Sequence, residues 1–196
     1  MAARPTSLRT RIARLRFPLR GRRVDLVIPV PAHVPSFVAL LNDPSVARWT
    51  LHVPHPYLTR DGQKWVRHAT AGRRSGRWLG LTVVRRSDGA VLGGVGLHDL
   101  ETGSTRAEVG YWLGREYRGQ GYATEAVDLL VRTGFRRLGL HRIEALVFPG
   151  NAASRALARR CGFRYEGRMR DEVQKDGCWR STLLFARIGS DPPPRR

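Results

Sequence analysis

A short segment near residue 120 carries the residue types needed to bind a phosphate group. Small residues at Gly119, Gly121 and Ala123 precede an amphipathic stretch that begins at Thr124. The backbone N–H groups of such a loop can point at one anion, and a following helix N-terminus adds its positive dipole end. Arg118 can add a charge-assisted hydrogen bond. The segment therefore predicts an anion-binding strand–loop–helix unit.

Three phosphate-binding patterns can be compared with this segment. A Walker A loop requires lysine where this chain has Gln120. A dinucleotide-binding fingerprint requires a small residue where this chain has Thr124, and it follows the first β-strand of its domain. The third pattern, Arg-x-x-Gly-x-Ala, is matched in full by Arg118, Gly121 and Ala123. A plain turn that binds no ligand stays open at this point.

A second group of motifs lies downstream of the loop. Residues 151–157 read N-x-x-S-x-x-L, residues 160–163 read R-x-G-F, and Glu166-Gly167 follows. Together with the loop, this order resembles the GNAT superfamily of N-acetyltransferases, in which Arg-x-x-Gly-x-Ala holds the diphosphate of acyl-CoA. The segments 42–44 and 107–113 make the chain similar to the RimJ/RimL branch. That branch acetylates N-terminal amines of proteins, notably ribosomal ones.

The resemblance covers about residues 24–188 and implies a GNAT-type α/β (α+β) fold. That fold is a mixed, mainly antiparallel seven-stranded sheet with about four helices on its faces. Acetyl-CoA is the implied co-substrate, and no metal is implied. The strand 108–113 is expected to bind the pantetheine arm where adjacent parallel strands splay. The implied cofactor contacts are Tyr111, Trp112, Leu113, Arg118, Gly119, Gln120, Gly121, Tyr122, Ala123, Thr124, Asn151 and Ser154.

Ser154 is the expected acid for the leaving thiolate. Amide formation from a thioester is helped by a donor at the carbonyl, an acid for the thiolate and a base for the amine. Many members of the superfamily carry a tyrosine acid four residues after the position of Ser154, where this chain has Ala158. In the RimJ/RimL branch the serine is the proposed substitute. A helix-capping hydroxyl is the alternative.

Glu108 and Glu172 are the two candidates for the base. Glu108 falls on the central strand near the splay, whereas Glu172 is one residue away from the usual place of the branch, which Val173 occupies. A one-residue shift along a strand reverses the face unless a bulge intervenes. A surface ion pair with a nearby arginine is the alternative for each, and a water relay with no single base also stays open.

Trp49, His52 and Tyr57 are the expected substrate contacts, because the family builds its acceptor wall in the segment that they occupy. The implied function is acetyl transfer to a primary amine, foremost the N-terminal amine of a ribosomal protein. Acetylation of a small-molecule amine or antibiotic is one alternative. A non-catalytic CoA-binding module on RNA or the ribosome is another. The acceptor and the oligomeric state, a homodimer included, stay open.

The charge of the chain limits its partners. Among 196 residues, 35 are Lys or Arg and 16 are Asp or Glu, which gives a net charge of +19. Almost all of the basic residues are arginine. An Arg-rich proteome explains that preference, whereas a polyanion such as RNA would also accept lysine; both interpretations stay open. Since no apolar run approaches the ~20 residues that span a bilayer, a membrane-spanning protein is excluded.

The element pattern predicts one acetyltransferase domain over residues 11–188, after a basic disordered arm (1–10) and before a disordered tail (189–196). The apolar residues of 12–19 are interpreted as a short edge strand. Neither cysteine has a partner at motif spacing, which favours a reduced, cytoplasmic protein. Glycines at 93–96 predict a bulge or a close backbone approach. Further strands are predicted at 24–30, 77–86, 90–98, 106–113, 142–148, 164–172 and 179–188, and helices at 31–42, 59–71, 124–138 and 152–161.

Overall fold

The computed structural model describes residues 7–100 and 105–194, which form one eight-stranded sheet. The order across the sheet is β1-β2-β3-β4-β5-β6-β8-β7, and β5 and β6 are the parallel pair among otherwise antiparallel neighbours. The expected mixed, mainly antiparallel sheet is confirmed, with eight strands instead of seven. The strands are β1 (Leu19–Arg20), β2 (Val24–Val27), β3 (Leu79–Arg85), β4 (Val91–His98), β5 (Arg106–Leu113), β6 (Arg142–Val147), β7 (Arg164–Lys175) and β8 (Cys178–Ile188).

Six α-helices occur in the described part of the chain, where about four were expected. A π-helical turn, Gly134–Leu138, extends α5. No helix among the described residues has the length and apolarity to cross a bilayer. The helices are α1 (Leu8–Ala13), α2 (Val34–Leu41), α3 (Pro44–Trp49), α4 (Thr59–Ser75), α5 (Tyr122–Thr133) and α6 (Ala152–Arg160).

One face of the sheet packs against α1, α5 and α6. Leu81, Val95, Val109 and Ala145, one from each of four adjacent strands, are at most 3% exposed on this face. Burial of such side chains is the main stabilising contribution of the fold, at about 25 cal/mol per Å² of apolar area. The apolar side of α5 covers them through Ala126, Val127, Leu130 and Val131. This packing fixes the N-terminus of α5 beside the end of β5.

The opposite face carries α2 and α4 over a row of glycines. Gly80, Gly96 and Gly110 are cross-strand partners on β3, β4 and β5. A Cβ atom at Gly80 would lie 2.5 Å from the Trp78 ring, and one at Gly110 would lie 2.9 Å from His98 Nε2. The rings of Trp78 and His98 stack, with 5.5 Å between centroids. The expected close approach at residues 93–96 is therefore confirmed, and aromatic rings make the approach at Gly96.

The N-terminal segment corrects two expectations. The residues described from the expected disordered arm enter α1 at Leu8, and Ile12 of that helix is fully buried. The expected edge strand over 12–19 is reduced to the two residues of β1. Leu8, Ile12 and Leu15 have helical spacing, while alternate residues further on suit a strand, so the pattern alone was ambiguous. Residues 1–6 lie outside the described part.

Two other segments also differ from expectation. The segment expected as a loop before α4 contains α3, capped by Asp43, whose carboxylate accepts the Ser45 N–H at 2.8 Å. Six residues are too few to show a helical period. In the expected tail, Asp191 accepts the Ile188 N–H at 3.0 Å and pairs with Arg164 at 3.2 Å, so this part of it is fixed to the domain. Residues 101–104 and 195–196 lie outside the described ranges.

Candidate active site

A gap opens between the two parallel strands at the centre of the sheet. β5 and β6 pair only where residues 106–108 face residues 142–144. Beyond that point β5 keeps its pairing with β4 as far as Leu113, while β6 keeps its pairing with β8 as far as Val147. The two strands therefore diverge, and their facing edges are left unpaired within the described sheet.

The peptide groups of β5 are available along this gap. The Gly114 N–H donates to the Leu92 carbonyl at 3.0 Å, so Gly114 faces β4. Because peptide groups of a strand alternate in direction, those of Val109, Tyr111 and Leu113 face the gap. The Leu113 carbonyl accepts a hydrogen bond from Arg118 Nε, so the peptide groups of Val109 and Tyr111 and the Leu113 N–H are the ones left on this edge. They can bond the amides of an extended arm, which fits the pantetheine of acetyl-CoA.

Trp112 corrects one expected cofactor contact. By the same alternation its peptide group faces β4, where it pairs with Gly94. Its ring lies on the α2 side of the sheet, 6.0 Å from the ring of Phe37. The Trp112 ring therefore packs against a second apolar cluster, on the face of the sheet that carries α2, and points away from the gap. This cluster is built around Val34, Phe37, Leu41, Val46, Tyr57 and Val66.

Tyr111 and Ser154 join across the gap on the α6 side. Their hydroxyl oxygens lie 2.6 Å apart. Burial raises the pKa of Tyr111 to about 12, so the phenol keeps its proton at neutral pH. Asn151 Oδ1 accepts the Ser154 N–H at 3.1 Å, which makes Asn151 the cap of α6. The Ser154 hydroxyl itself is bonded to Tyr111, so the capping role falls to Asn151.

The loop before α5 has the geometry of an anion cradle. Gly119 and Gly121 adopt φ values of +76° and +82°, a region that favours glycine. A Cβ atom at Gly119 would meet nothing within 4 Å, so the space above the loop is open. Gly121 caps α5 without a side-chain hydrogen bond, which leaves the first N–H groups of the helix, from Tyr122 to Thr124, without helical partners. These features fit a diphosphate group.

Arg23 is a residue of this cradle that the sequence analysis missed. A Cβ atom at Gly121 would lie 3.0 Å from Arg23 Nη2. Glu125 holds the guanidinium at 3.2 Å and also accepts the backbone N–H of Arg23 at 2.7 Å. The guanidinium carbon lies 4.7 Å from the ring centroid of Tyr122. Nothing in the sequence singles out this residue, since almost all basic residues are arginine and it is distant from the loop.

Arg118 stands at the open end of the gap with two of its donors already engaged. Its Nε donates to the Leu113 carbonyl at 3.0 Å, and its Nη1 donates to Ser45 Oγ at 2.7 Å. These bonds hold the guanidinium at the edge of β5. Gln120 bonds back to the Glu116 carbonyl at 2.7 Å and thereby fixes the loop from within.

On the opposite face of the sheet, Glu108 lies where the two strands begin to diverge. Burial, reinforced by the negative charges of Asp99, Glu172 and Glu144, raises the pKa of Glu108 to about 7. His98 is the cross-strand partner of Glu108, and burial lowers the pKa of His98 to about 4. At neutral pH this group therefore contains a carboxyl poised between two protonation states beside a neutral imidazole.

A bulge brings Glu172 into the same group. The register between β7 and β8 shifts between Met169 and Val173. Within that bulge Glu172 accepts a hydrogen bond from the hydroxyl of Thr182, which is 4% exposed. The charge of Glu172 acts on Glu108 across the site. The position of Glu172 in the sequence suits a catalytic base only if the strand contains a bulge, and the structure contains one.

The three expected substrate contacts separate in the structure. Trp49 lies against the turn before α6, since a Cβ atom at Gly150 would be 3.0 Å from its ring. His52 is exposed, and its charge acts on His98. Tyr57 is 4% exposed and packs in the second apolar cluster, so its ring is not presented to solvent as an acceptor contact would be. That cluster also contains Val34, Phe37, Leu41, Val46 and Val66.

The family comparison agrees with this geometry. Residues 23–164 match the acetyltransferase (GNAT) domain family. Since the match covers more than half of the 196 residues, the chain belongs to that family. The resemblance stated from the motifs is thereby confirmed.

Individual relatives and structures extend the comparison. The Bacillus subtilis protein named "Putative ribosomal N-acetyltransferase YdaF" is 38% identical over 99 residues, which cover 50% of this chain and 54% of the relative. The L-methionine sulfoximine/L-methionine sulfone acetyltransferase of Pseudomonas aeruginosa is 28% identical over 164 residues, 82% of this chain and 91% of that protein. Mycobacterium smegmatis RimJ, solved in complex with CoA-disulfide, has a TM-score of 0.77 and 26% identity, with 84% and 81% of the two chains covered.

The chain spans little more than half the length of several Bacillus relatives that it matches. In four Bacillus proteins that are 37–38% identical to this chain, the matched region covers 54% to 63% of their length.

Proposed function

We propose that this protein transfers an acetyl group from acetyl-CoA to a primary amine, and that its acceptor is the N-terminal amine of a protein. The observation that carries the proposal is the hydroxyl pair of Tyr111 and Ser154, 2.6 Å apart across the gap between β5 and β6. A proton-donating pair at that place serves a thiolate that leaves from an arm held in the gap.

The chain holds the co-substrate through backbone groups more than through side chains. The cradle of Gly119, Gly121 and the α5 N-terminus takes the diphosphate, and Arg23 adds a cation. The gap-facing peptide groups of β5 take the pantetheine amides. A backbone N–H at Tyr111 or Leu113 supplies the hydrogen bond that the thioester carbonyl needs as it becomes an oxyanion. Acetyl-CoA supplies the activated acyl group.

Ser154 donates the proton to the departing sulfur, and Tyr111 supports it. The Tyr111 phenol has its pKa raised to about 12, so it stays protonated and can pass a proton to Ser154 Oγ. The position that carries a tyrosine acid in many relatives of this family holds Ala158, which is 1% exposed and packed in the core. Tyr111 on β5 thus supplies the phenol that α6 lacks at Ala158.

Glu108 accepts the proton of the incoming ammonium. Its pKa of about 7 places a substantial carboxylate fraction at neutral pH and keeps the group basic enough to accept a proton. Glu172 and Asp99 add negative potential at the same place, which favours a cationic amine over a neutral one. Glu172 is already bonded to Thr182, so we assign it the supporting role.

The acceptor assignment rests on the names of relatives together with this acidic group. The word "ribosomal" in the name of the Bacillus subtilis relative points to a protein acceptor. A second candidate is a free amino acid or a close analogue, because the Pseudomonas aeruginosa acetyltransferase of L-methionine sulfoximine aligns over 91% of its length. Both acceptors present an ammonium next to a carbonyl group.

Release of CoA with a panel of acceptors tests the proposal. We expect turnover with peptides that carry a free N-terminus and no turnover with the same peptides after N-terminal blocking. Turnover with amino acids alone would favour the second candidate. Binding of acetyl-CoA without CoA release for any amine would leave the non-catalytic module as the function and overturn the proposal.

A further inference from the structure

A recess of about 550 Å³ lies between α1 and the π-helical turn that ends α5. Arg11, Arg14, Leu15, Arg16 and Arg137 line it. Four of these five residues are therefore arginine, and none belongs to the candidate active site. A concentration of guanidinium groups around one concavity indicates an anionic partner.

The helix that carries these arginines is held firmly on the domain. Ile12 buries its side chain completely beneath α1. Arg11 Nη1 donates to the Leu138 carbonyl at 2.8 Å, at the C-terminal end of the π-helical turn. At the end of α4, Gly76 approaches so closely that a Cβ atom there would lie 2.8 Å from the Cα atom of Arg9. The arginines of α1 are thus presented on a fixed element.

We define the α1 surface as Arg9, Arg11, Arg14, Arg16, Arg136 and Arg137. Within residues 7–100 and 105–194, none of these six guanidinium groups lies within 4.0 Å of a carboxylate, although Arg23 and Arg142 elsewhere are paired. The first acidic residue of the chain is Asp25, beyond the whole of α1. The α1 surface therefore lacks internal counter-ions.

The composition of the α1 surface favours a phosphate backbone over a protein. Stable protein interfaces carry apolar and aromatic residues at their centre. The exposed large apolar residues of the described chain are Val30, Leu58, Tyr165 and Trp179, and none lies on the α1 surface. Single-stranded nucleic acids are bound largely by aromatic stacking, for which this surface has no exposed ring. What it offers is positive charge with no exposed ring to stack on a base.

We propose that the α1 surface binds the phosphodiester backbone of a nucleic-acid duplex. Arg11 lies in the last turn of α1 and Arg14, three residues on, is its C-cap with helical backbone angles, so their side chains start about 5–6 Å apart and can reach neighbouring phosphates. Guanidinium groups bond phosphate oxygens in a bidentate manner. The inference does not depend on the acetyl-transfer proposal, because the two surfaces share no residue.

The test is fluorescence anisotropy with labelled duplex RNA and duplex DNA of about 20 base pairs, from 50 to 200 mM NaCl. The variant is Arg9→Gln/Arg14→Gln/Arg16→Gln, in which all three side chains are exposed. The matched control, Arg60→Gln/Arg67→Gln/Arg180→Gln, removes the same charge from exposed arginines on α4 and β8. Acetyl-CoA affinity measured on each variant verifies that the fold is retained.

We expect the α1 variant to bind duplex at least tenfold more weakly at 100 mM NaCl and the control less than threefold. The slope of log K against log salt should fall by about 2–3 in the α1 variant, because three phosphate contacts are lost. A preference between the RNA and DNA arms identifies the natural duplex. Equal losses in both variants, no duplex binding at 50 mM NaCl, or binding of an acidic protein segment instead of duplex would overturn the inference.

Discussion

The two sides of the central gap carry opposite charge and are built in opposite ways. On the α5 side, unpartnered N–H groups and Arg23 surround the loop at Gly119 and Gly121. On the other face, Glu108 lies among Asp99, Glu172 and Glu144. One sheet can hold both because successive side chains point to opposite faces. A protein of net charge +19 thus has a locally acidic group on this face of its sheet.

The difference in construction predicts a difference in mutational response. Most of the cofactor side is formed by neighbouring residues of the loop before α5, so substitutions in that loop are expected to alter CoA affinity. The acceptor side is assembled from β4, β5 and the β7–β8 bulge, and its main group titrates near neutrality. Changes there are expected to alter turnover and its pH dependence while CoA affinity stays the same.

The largest effect on CoA binding is expected from Gly121→Glu. The added side chain and its negative charge would occupy the cradle of the diphosphate, and its Cβ atom would meet Arg23 at 3.0 Å. We expect CoA affinity measured by calorimetry to fall by more than about 100-fold, equivalent to about 2.7 kcal/mol.

Gly89→Glu is the matched control for this change. Gly89 has a φ of +75° and open space around a new Cβ atom, so strain and added charge are comparable at a turn between β3 and β4. CoA affinity should be unchanged in this variant. Equal affinity in both variants would remove the loop from the site.

Glu108→Gln should lower turnover by about 10²–10³ while CoA affinity is retained. In the wild type the carboxylate is the active form, so kcat/KM should rise with pH through about 7, and this rise should disappear in the variant. Glu116→Gln, an exposed change of the same kind, is the control. A variant that keeps the inflection near pH 7 would assign the base to another group.

The same carboxyl should affect stability with a definite sign. Its pKa is raised from 4.5 to about 7 by folding, so protons bind more tightly to the folded state. The free energy of unfolding should therefore fall as pH rises from 4.5 to 7, and less so in Glu108→Gln. Chemical denaturation across this range measures the difference; a fall that persists in the variant contradicts the assigned pKa.

Ser154→Ala should lower turnover about tenfold, below the usual range for loss of an acid, because the Tyr111 phenol remains in place. Tyr111→Phe should have a smaller effect, and the double variant should lose more than the product of the two, because neither hydroxyl then remains to donate a proton. Strictly multiplicative losses would show that the hydroxyls act separately.

Asn151→Ala separates catalysis from capping. It removes the oxygen that accepts the Ser154 N–H, so it should destabilise the protein by about 1 kcal/mol. Ser154→Ala keeps this cap and loses only the hydroxyl bonded to Tyr111, so in a Tyr111→Phe background it should leave the unfolding free energy nearly unchanged. The reverse pattern in thermal denaturation would return the capping role to Ser154.

The smallest effect is expected from Arg23→Gln. The guanidinium is partly exposed and already paired with Glu125 at 3.2 Å, so its share in anion binding is modest. We expect CoA to bind about threefold to tenfold more weakly, with the loss shrinking as salt is added. An effect that does not respond to salt would place Arg23 outside the charge cradle.

Local patterns predicted the strand and the glycine turn that form the proposed cofactor side. The strand 106–113 was predicted at its observed bounds, and the glycines at 119 and 121 occupy conformations that favour glycine. Such features depend on neighbours in the chain. In contrast, Arg23 reached the loop and Tyr111 reached Ser154 from distant elements, and no local pattern could single them out.

The acceptor side shows the same limit in other residues. Tyr57 and Trp49 belong to the same segment, yet Tyr57 is buried while Trp49 reaches Gly150. Alternation along the strand also could not show that Trp112 faces β4, because the pairing partners of a strand are set by the whole sheet. For Glu172, the bulge between Met169 and Val173 decided the direction of the side chain.

The sequence by itself determined the family, the order of most strands and helices, and the glycine turn before α5, because periodicity, turn residues and left-handed glycines act over a few residues. Only the tertiary structure decided which polar groups meet. The Tyr111–Ser154 pair, the raised pKa of Glu108 and the unpaired arginines of the α1 surface all depend on burial and on the distance between segments far apart in the chain. Desolvation and Coulomb energy vary with three-dimensional distance, which residue spacing along the chain does not contain.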